Sequence, residues 1–378
     1  MANAITIRPV TNKADRIAFL KLPLRLYADD PNFVPQLYLE RLYHLTKNPY
    51  FEHGEACLFL AERNGQVVGR ISAQFDKLHL EHHQDATGQF GFLEAEDDIE
   101  IFRALMEAAS QWLKARGIKR MQGPFSFSIN EESGLLVDGF DRPPVIMMGH
   151  AKPYYDQRLK ELGFTTAKNL IAYDYDLEIP MPAAMLRMIE KNKASGKLHL
   201  RPLSKKHLKR DLGIIIDIFN DAWRENWNFV PMTQAEINAL GQVLKLLVTE
   251  KHICIAEYDG EPAAMIATLP NINEWIADLN GKLFPFNWAK LLYRVFFVKE
   301  TSVRVPLMGI KGRFRSNAVG AMLAFAIIDA VRDYHRSRGV KTAELSWILE
   351  DNMPMRRILE ALGGLPYKTY RVYEQAIA

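Results

Sequence analysis

The chain repeats itself, and that property limits its possible folds more than any other. ITIRPV at residues 5–10 returns as LHLRPL at 198–203, which sets Arg8 against Arg201 and Pro9 against Pro202 at an offset of 193. NFVP begins at Asn32 and again at Asn228, and LFLAERNG from Leu58 returns as ICIAEYDG from Ile253 at an offset of 195. ARGIK at 115–119 matches SRGVK at 337–341, and LKELGF around Gly163 matches LEALGG around Gly363. Lys168 and Tyr173 then match Lys368 and Tyr373 at an offset of 200. Six matches in the same order, broken by compensating insertions, indicate a duplicated unit.

With 378 residues, two domains of the usual ~100–200 residues fit the chain. Ile179-Pro-Met-Pro182 interrupts the pattern between the copies, so the expected domains are 1–184 and 185–378. Each copy reads as strand, helix, helix, hairpin, strand, long helix, strand, helix, strand, a mixed α/β (α+β) fold with a mixed sheet. The hairpins turn at Asn64-Gly65 and Asp259-Gly260, dipeptides that tolerate positive φ. In the second copy the long helix is expected over Ala318–Arg338, with Met322, Leu323, Phe325, Ala326, Ile327 and Val331 inward and Gly339 ending it.

Composition excludes several classes. Lys plus Arg number 48 against 45 Asp plus Glu, so no general attraction to nucleic acid or anionic membranes is expected. No stretch is apolar enough to span a bilayer, and the expected location is the cytoplasm. Cys57 and Cys254 lie in strand-like runs without metal-ligand or redox spacing. His79, His82 and His83 read as a polar loop, and no metal is expected. An insert in the second copy, KLFPFNWAKLLYRVFFVKE at 282–300, reads as an aromatic amphipathic helix bearing Lys290 and Arg294. Core or interface packing is its default reading, beside a lid or a homodimer face, with membrane contact the minor one.

The chemistry concentrates ahead of the second long helix. The strand VRVPLMGI, Val303–Ile310, runs into KGRFRSNAVGAML, where Lys311, Arg313 and Arg315 precede Ser316 or Asn317 as N-cap, then Ala318, Val319, Gly320 and Ala321. Basic residues beside first-turn N–H groups outline a pyrophosphate site. The run Arg315-Ser-Asn-Ala318-Val-Gly320 resembles the acyl-coenzyme A signature of the GNAT superfamily of N-acetyltransferases, with Ala318 where that family usually has glycine.

The resemblance implies two tandem GNAT-like domains and an acyl-CoA co-substrate, acetyl-CoA being the first expectation. It implies that the Met308, Gly309 and Ile310 backbone receives the pantetheine arm, that amides of 316–321 with Arg313 and Arg315 hold the pyrophosphate, and that Asn352 lines the channel. The acceptor would be the amine of a small molecule or peptide. In the first copy the matching segment is FLEAEDDIEIF, with Leu93 at the Arg315 position, and Glu94, Glu96, Asp97 and Asp98 would repel a pyrophosphate.

The family's acid, a Tyr four residues before the final helix glycine, is Leu359 here and Leu159 in the first copy. The strand Val303–Ile310 has no carboxylate, which leaves Glu344 in AELSW as the candidate base, with Tyr367 and Tyr370 as weaker ones. Glu257 recurs as Glu62, which marks it as structural. Two rival readings stand beside acyl transfer from CoA: a Fem-type transferase fed by aminoacyl-tRNA, disfavoured by the near-neutral charge, and an acyl-CoA-binding scaffold without turnover.

Overall fold

The computed structural model describes residues 4–315 and 317–377. The first copy forms β1 (Thr6–Pro9), α1 (Lys13–Leu26), α2 (Tyr38–Lys47), the hairpin β2 (Gly54–Arg63) and β3 (Gln66–Asp76), and α3 (Lys77–His83). It continues through β4 (Thr87–Ala95), α4 (Ile99–Lys114), β5 (Arg120–Gly123), β6 (Leu135–Asp138), α5 (Tyr154–Glu161) and β7 (Thr165–Asp176). After α6 (Ala183–Ala194) the second copy forms β8 (Leu198–Pro202), α7 (Leu208–Trp223), α8 (Gln234–Leu247) and the hairpin β9 (Ile253–Tyr258) and β10 (Glu261–Pro270). The insert contributes α9 (Asn273–Ile276) and α10 (Asn287–Phe297). The rest is β11 (Ser302–Ile310), α11 (Gly312–Arg315), α12 (Ala318–Arg338), β12 (Thr342–Leu349), α13 (Met353–Ala361) and β13 (Leu365–Ala376).

The repeat is visible in detail. Asn64 and Asp259 take φ of 53° and 50° at their hairpin turns, the left-handed region such turns require. Glu62 and Glu257 each bond the arginine of the strand beside them, Arg8 and Arg201, which gives both acids the structural role their recurrence predicts.

The compact units draw on both copies. The N-terminal unit comprises Met1–Leu170, Asn273–Leu292 and Lys368–Ala378, and the C-terminal unit Ile171–Ile272 and Tyr293–Tyr367. In the N-terminal unit the strand order is β1-β2-β3-β4-β5-β13, with β6 also on β13, and Tyr373–Ala376 pair antiparallel with Gly123–Arg120. In the C-terminal unit the end of β7 begins the order β7-β12-β11-β10-β9-β8. The long helix α12 buries the stripe expected of it, Met322, Leu323, Phe325, Ala326, Ile327 and Val331, against Val303, Val305, Ala343 and Leu345 of the sheet. Burial of each large side chain contributes about 1.5–3 kcal/mol. Gly339, at φ 90°, closes the helix.

The segment Ala183–Ala194, at the expected boundary, is a helix that buries Ile189. Two readings of the sequence need correction. The histidines read as a polar loop lie on α3, whose N-cap Asp76 accepts from the Leu78 N–H, and His79 is buried. The aromatic insert is a shorter helix than 282–300, and α10 buries none of its side chains, so the core reading fails. No helix among the described residues is long and apolar enough to cross a membrane.

Candidate active site

In the C-terminal unit the sheet is paired in its lower half and open above it. β11 and β12 run parallel and pair from Ser302–Thr342 to Val305–Leu345. There the ladder stops, although β11 continues to Ile310 and β12 to Leu349. On its other edge β11 pairs Leu307 with Ala267 and Arg304 with Leu269, so that Val305 and Pro306 oppose one residue of β10. That is a β-bulge, which bends the strand and raises its twist. Pro306 has no N–H to give to a ladder. The bulge and the proline together explain the parting of two central strands, which leaves Leu307–Ile310 and Ser346–Leu349 outside the ladder between them.

A buried ionic cluster stands at the foot of the opening. Arg304 and Glu344 are ladder partners and so share a face of the sheet, with exposures of 0 % and 4 %. Arg304 Nε donates to Ser346 Oγ at 2.9 Å and lies 4.0 Å from Glu344 Oε1, while its guanidinium sits over the Trp347 ring at 4.5 Å. Ser346 donates to Glu344 Oε1 at 2.5 Å, and the Tyr367 hydroxyl donates to Oε2. A buried carboxylate is tolerated when its oxygens are satisfied in this way. Tyr367 is half-buried and is the member of the pair closer to solvent. Glu344 and Tyr367, separate candidates in the sequence, are therefore one hydrogen-bonded pair able to pass a proton. Tyr370 is fully buried.

The basic loop lies at the far end of β11. Lys311 pairs with Asp217 at 2.7 Å, and Arg313 pairs with Glu261. Arg315 donates to the carbonyls of Asp221 at 3.1 Å and Ala222 at 2.6 Å, which caps the end of α7. The N-cap of α12 is Asn317, whose Oδ1 accepts from the Val319 and Gly320 N–H groups at 2.9 and 3.2 Å. Ser316 lies outside the described residues. Ala318 is exposed and Ala321 half-buried. A Cβ on Gly320 would meet Phe314 O at 2.2 Å, so glycine there serves the close turn between α11 and α12. Met308 O accepts from Trp223 Nε1 at 3.4 Å, and Gly309 and Ile310 are buried. Asn352 caps α13 by accepting from the Met355 N–H at 3.3 Å. Arg313 and Arg315, exposed beside the start of α12, are cations of the kind that a pyrophosphate group requires, and Asn317 Oδ1 holds the Val319 and Gly320 N–H groups that such a group would take over.

The N-terminal unit differs at each of these points. β4 and β5 pair in parallel only from Thr87–Arg120 to Gln89–Gln122, but the chain leaving β5 then closes the edge, with Phe125 N–H donating to Phe90 O at 2.8 Å. Glu96, Asp97 and Asp98 pair with Arg25, Arg158 and Arg63. Glu94 is buried, accepts from Tyr27 and Tyr155 at 2.8 and 2.7 Å, and lies 3.7 Å from Arg70; burial raises its pKa against the pull of that arginine. Arg70, Glu94, Arg41, Phe33, Phe92 and His150 line a cavity of about 150 Å³. Leu159 and Leu359, at the position of the family's acid, are core residues in both copies.

Among the described residues, His252, Glu300 and His335 are the group of imidazoles and carboxylates close enough to share an ion. The Thr249 N–H points at His252 Nδ1 at 3.2 Å, which favours the tautomer with a proton on Nε2, and Arg338 lies 3.3 Å from Glu300. Both features oppose a cation there.

Sequence reasoning missed Arg304, Ser346 and Trp347. The available signal was an arginine inside the apolar strand VRVPLM, because a central strand tolerates such a residue only beside a carboxylate. AELSW on the next strand supplies one.

No model of a known protein family matches the chain. Protein YghO of Escherichia coli is 43 % identical over 98 % of this chain and 95 % of its own length. A protein of Caulobacter vibrioides named bacterial ceramide synthase is 44 % identical over 99 % of this chain and 98 % of its own. Among solved structures, a tandem GNAT protein from the clavulanic acid biosynthesis pathway superposes with a TM-score of 0.59 at 13 % identity, covering 99 % of both chains. A GCN5-related N-acetyltransferase from Sphaerobacter thermophilus gives 0.55 at 11 % identity, covering 99 % of this chain and 96 % of that one. With relatives this similar over nearly their whole length and a tandem GNAT fold throughout, the chain belongs to the family of YghO and the Caulobacter ceramide synthase.

Proposed function

We propose that the chain joins a fatty acyl group from acyl-CoA to the primary amine of a long-chain amino alcohol, forming a ceramide-like amide, with the transfer site in the C-terminal unit. The observation that carries the site is the opening between β11 and β12 beyond Val305 and Leu345, with the Glu344–Tyr367 pair at its foot. The chemical class of acceptor rests on the name of the Caulobacter relative. A fatty acyl group takes the place of the acetyl group that the sequence brings first to mind.

Acyl-CoA supplies the thioester carbonyl that the amine attacks. Lys311, Arg313, Arg315, Ser316 and the amides of Asn317, Ala318, Val319, Gly320 and Ala321 would hold its pyrophosphate, the Met308–Ile310 backbone its pantetheine arm, and Asn352 the channel wall. The N-terminal unit, with its acidic loop and closed strand edge, takes no CoA. Tyr367 oxygen accepts the proton that the amine nitrogen loses as it forms the amide bond, and the phenol proton passes to Glu344. That proton then returns to the departing thiolate, which leaves as free coenzyme A, so the pair ends as it began. Arg304 and Ser346 are positioning residues that hold Glu344 in place.

The test is a transfer assay with palmitoyl-CoA and sphinganine, reading free thiol and amide product together. Equal release of thiol and amide is the expected result. Transfer from acetyl-CoA alone would overturn the acyl assignment, and thiol release without amide would overturn the acceptor. Binding of CoA without either product would leave the scaffold reading standing in place of this one.

A further inference from the structure

Helix α10 faces the wrong way for a helix of a protein surrounded only by water. Its half-buried positions are Asn287, Leu291, Arg294 and Val295, spaced as one helical stripe, and Leu291 packs on the small cluster of Val34, Ile276 and Leu279. The opposite face carries Trp288, Leu292, Tyr293, Phe296 and Phe297, all exposed. Phe284 and Phe286 extend the patch ahead of the helix. Phe286 is 79 % and Phe297 74 % exposed, so no packing among the described residues removes these rings from water. A contiguous aromatic patch of this kind marks an interaction surface.

Charge selects the partner. From residue 279 to 299 the sequence has no Asp or Glu, while Lys282, Lys290, Arg294 and Lys299 are present. Lys290 pairs with Asp278 at 2.5 Å, which fixes one cation at the rim of the aromatic face. A helix with Trp, Tyr and Phe on one side and cations at its border matches the boundary between acyl chains and anionic headgroups. A protein partner would be expected to offer carboxylates to specific cations, whereas a bilayer accepts them spread along the segment.

We infer that the segment from Lys282 to Lys299, centred on α10, docks the protein on the surface of an anionic bilayer, with the aromatic face in the interface and the helix parallel to the membrane plane. The inference extends the proposed function, because a long-chain amine and a ceramide-like product both reside in bilayers, yet the docking is measurable without any turnover. It reverses the order in which the sequence alone ranks the readings of this insert.

Flotation of the full chain with vesicles of phosphatidylcholine, with and without a third of phosphatidylglycerol, tests it. The protein is expected to float with the anionic vesicles and to lose most of that binding in high salt. A triple variant, F286S with F296S and F297S, is expected to reduce binding at least tenfold while its circular dichroism and its CoA-dependent transfer to a short-chain, water-soluble amine stay unchanged. Equal flotation of the triple variant and the parent overturns the inference, as does a parent that stays in solution with every vesicle. A parent of twice the 43.3 kDa chain mass that the triple variant returns to single mass, with no flotation of either, assigns the patch to a second copy instead. Vesicle binding with no transfer to any amine would leave the docking intact and defeat only the proposed reaction.

Discussion

Arg201 donates from Nε to Glu257 Oε1 at 2.8 Å, and the same bond joins Arg8 to Glu62 at the same distance in the other copy. Each arginine also reaches an aspartate of the following helix, Asp211 at 3.0 Å and Asp15 at 2.6 Å. The duplication has thus kept a three-residue ionic latch that ties the first strand, the first helix and the hairpin of each copy.

The latches predict an acid limit to stability. The Asp15 carboxyl lies below its ordinary pKa chiefly because Arg8 bonds it. For Asp211 burial works upward, but Arg210, the Ser204 N–H and Arg201 outweigh it, and the net shift is again downward. A depressed carboxyl pKa contributes stability above the unfolded value of about 3.9, which is lost as pH falls through the folded value. Thermal melts between pH 6 and pH 3 should show a drop in Tm that steepens below about pH 4, and D211N should flatten it.

Removing the proposed proton relay should slow transfer without loosening the co-substrate. E344Q and Y367F are each expected to lower kcat about 10²- to 10⁴-fold, with CoA affinity by calorimetry unchanged. Since Tyr367 and Glu344 are joined by a hydrogen bond and are proposed to act as one pair, the double variant should cost little more than either single one. Additive losses would separate their roles.

Gly320 and Ala318 should respond in opposite ways. A Cβ at Gly320 meets the Phe314 carbonyl, so G320A should cost roughly 1–3 kcal/mol of stability and displace the basic loop. Ala318 is exposed, and A318G should alter stability by less than about 1 kcal/mol. Urea titration of both variants checks this.

Arg70 guards the buried Glu94 of the N-terminal unit. It is 9 % exposed and donates to Phe19 O at 2.7 Å, and R70M would leave the carboxylate without its cation. A loss of about 3–5 kcal/mol is expected, partly recovered in R70M with E94Q.

Much of the fold was legible because it rests on periodic patterns. The α12 stripe, both hairpin turns and the order of elements follow from short-range spacing and turn chemistry. The environment of the site was less legible. Glu344 stood out as a carboxylate in a strand, but Arg304 and Tyr367 meet it from 40 and 23 positions away, and no local pattern encodes such meetings. The basic loop was readable as a cluster, yet the Asp217, Asp221 and Glu261 contacts that now hold it come from other elements. Leu93, aligned with Arg315, is buried at 5 % exposure, so a charge placed there would test the core rather than the cofactor site. The aromatic insert looked like core because amphipathicity gives the width of an apolar face but not its direction.

The strand that borders β5 in the N-terminal unit is made of residues 373–376, some 250 positions further along the sequence. During synthesis, therefore, the half that leaves the ribosome first waits with an unpaired sheet edge until residues 373–376 have been made. Such an edge is a template for wrong pairing. Nascent chains stalled or truncated before residue 373 should be the species that chaperones hold and proteases remove.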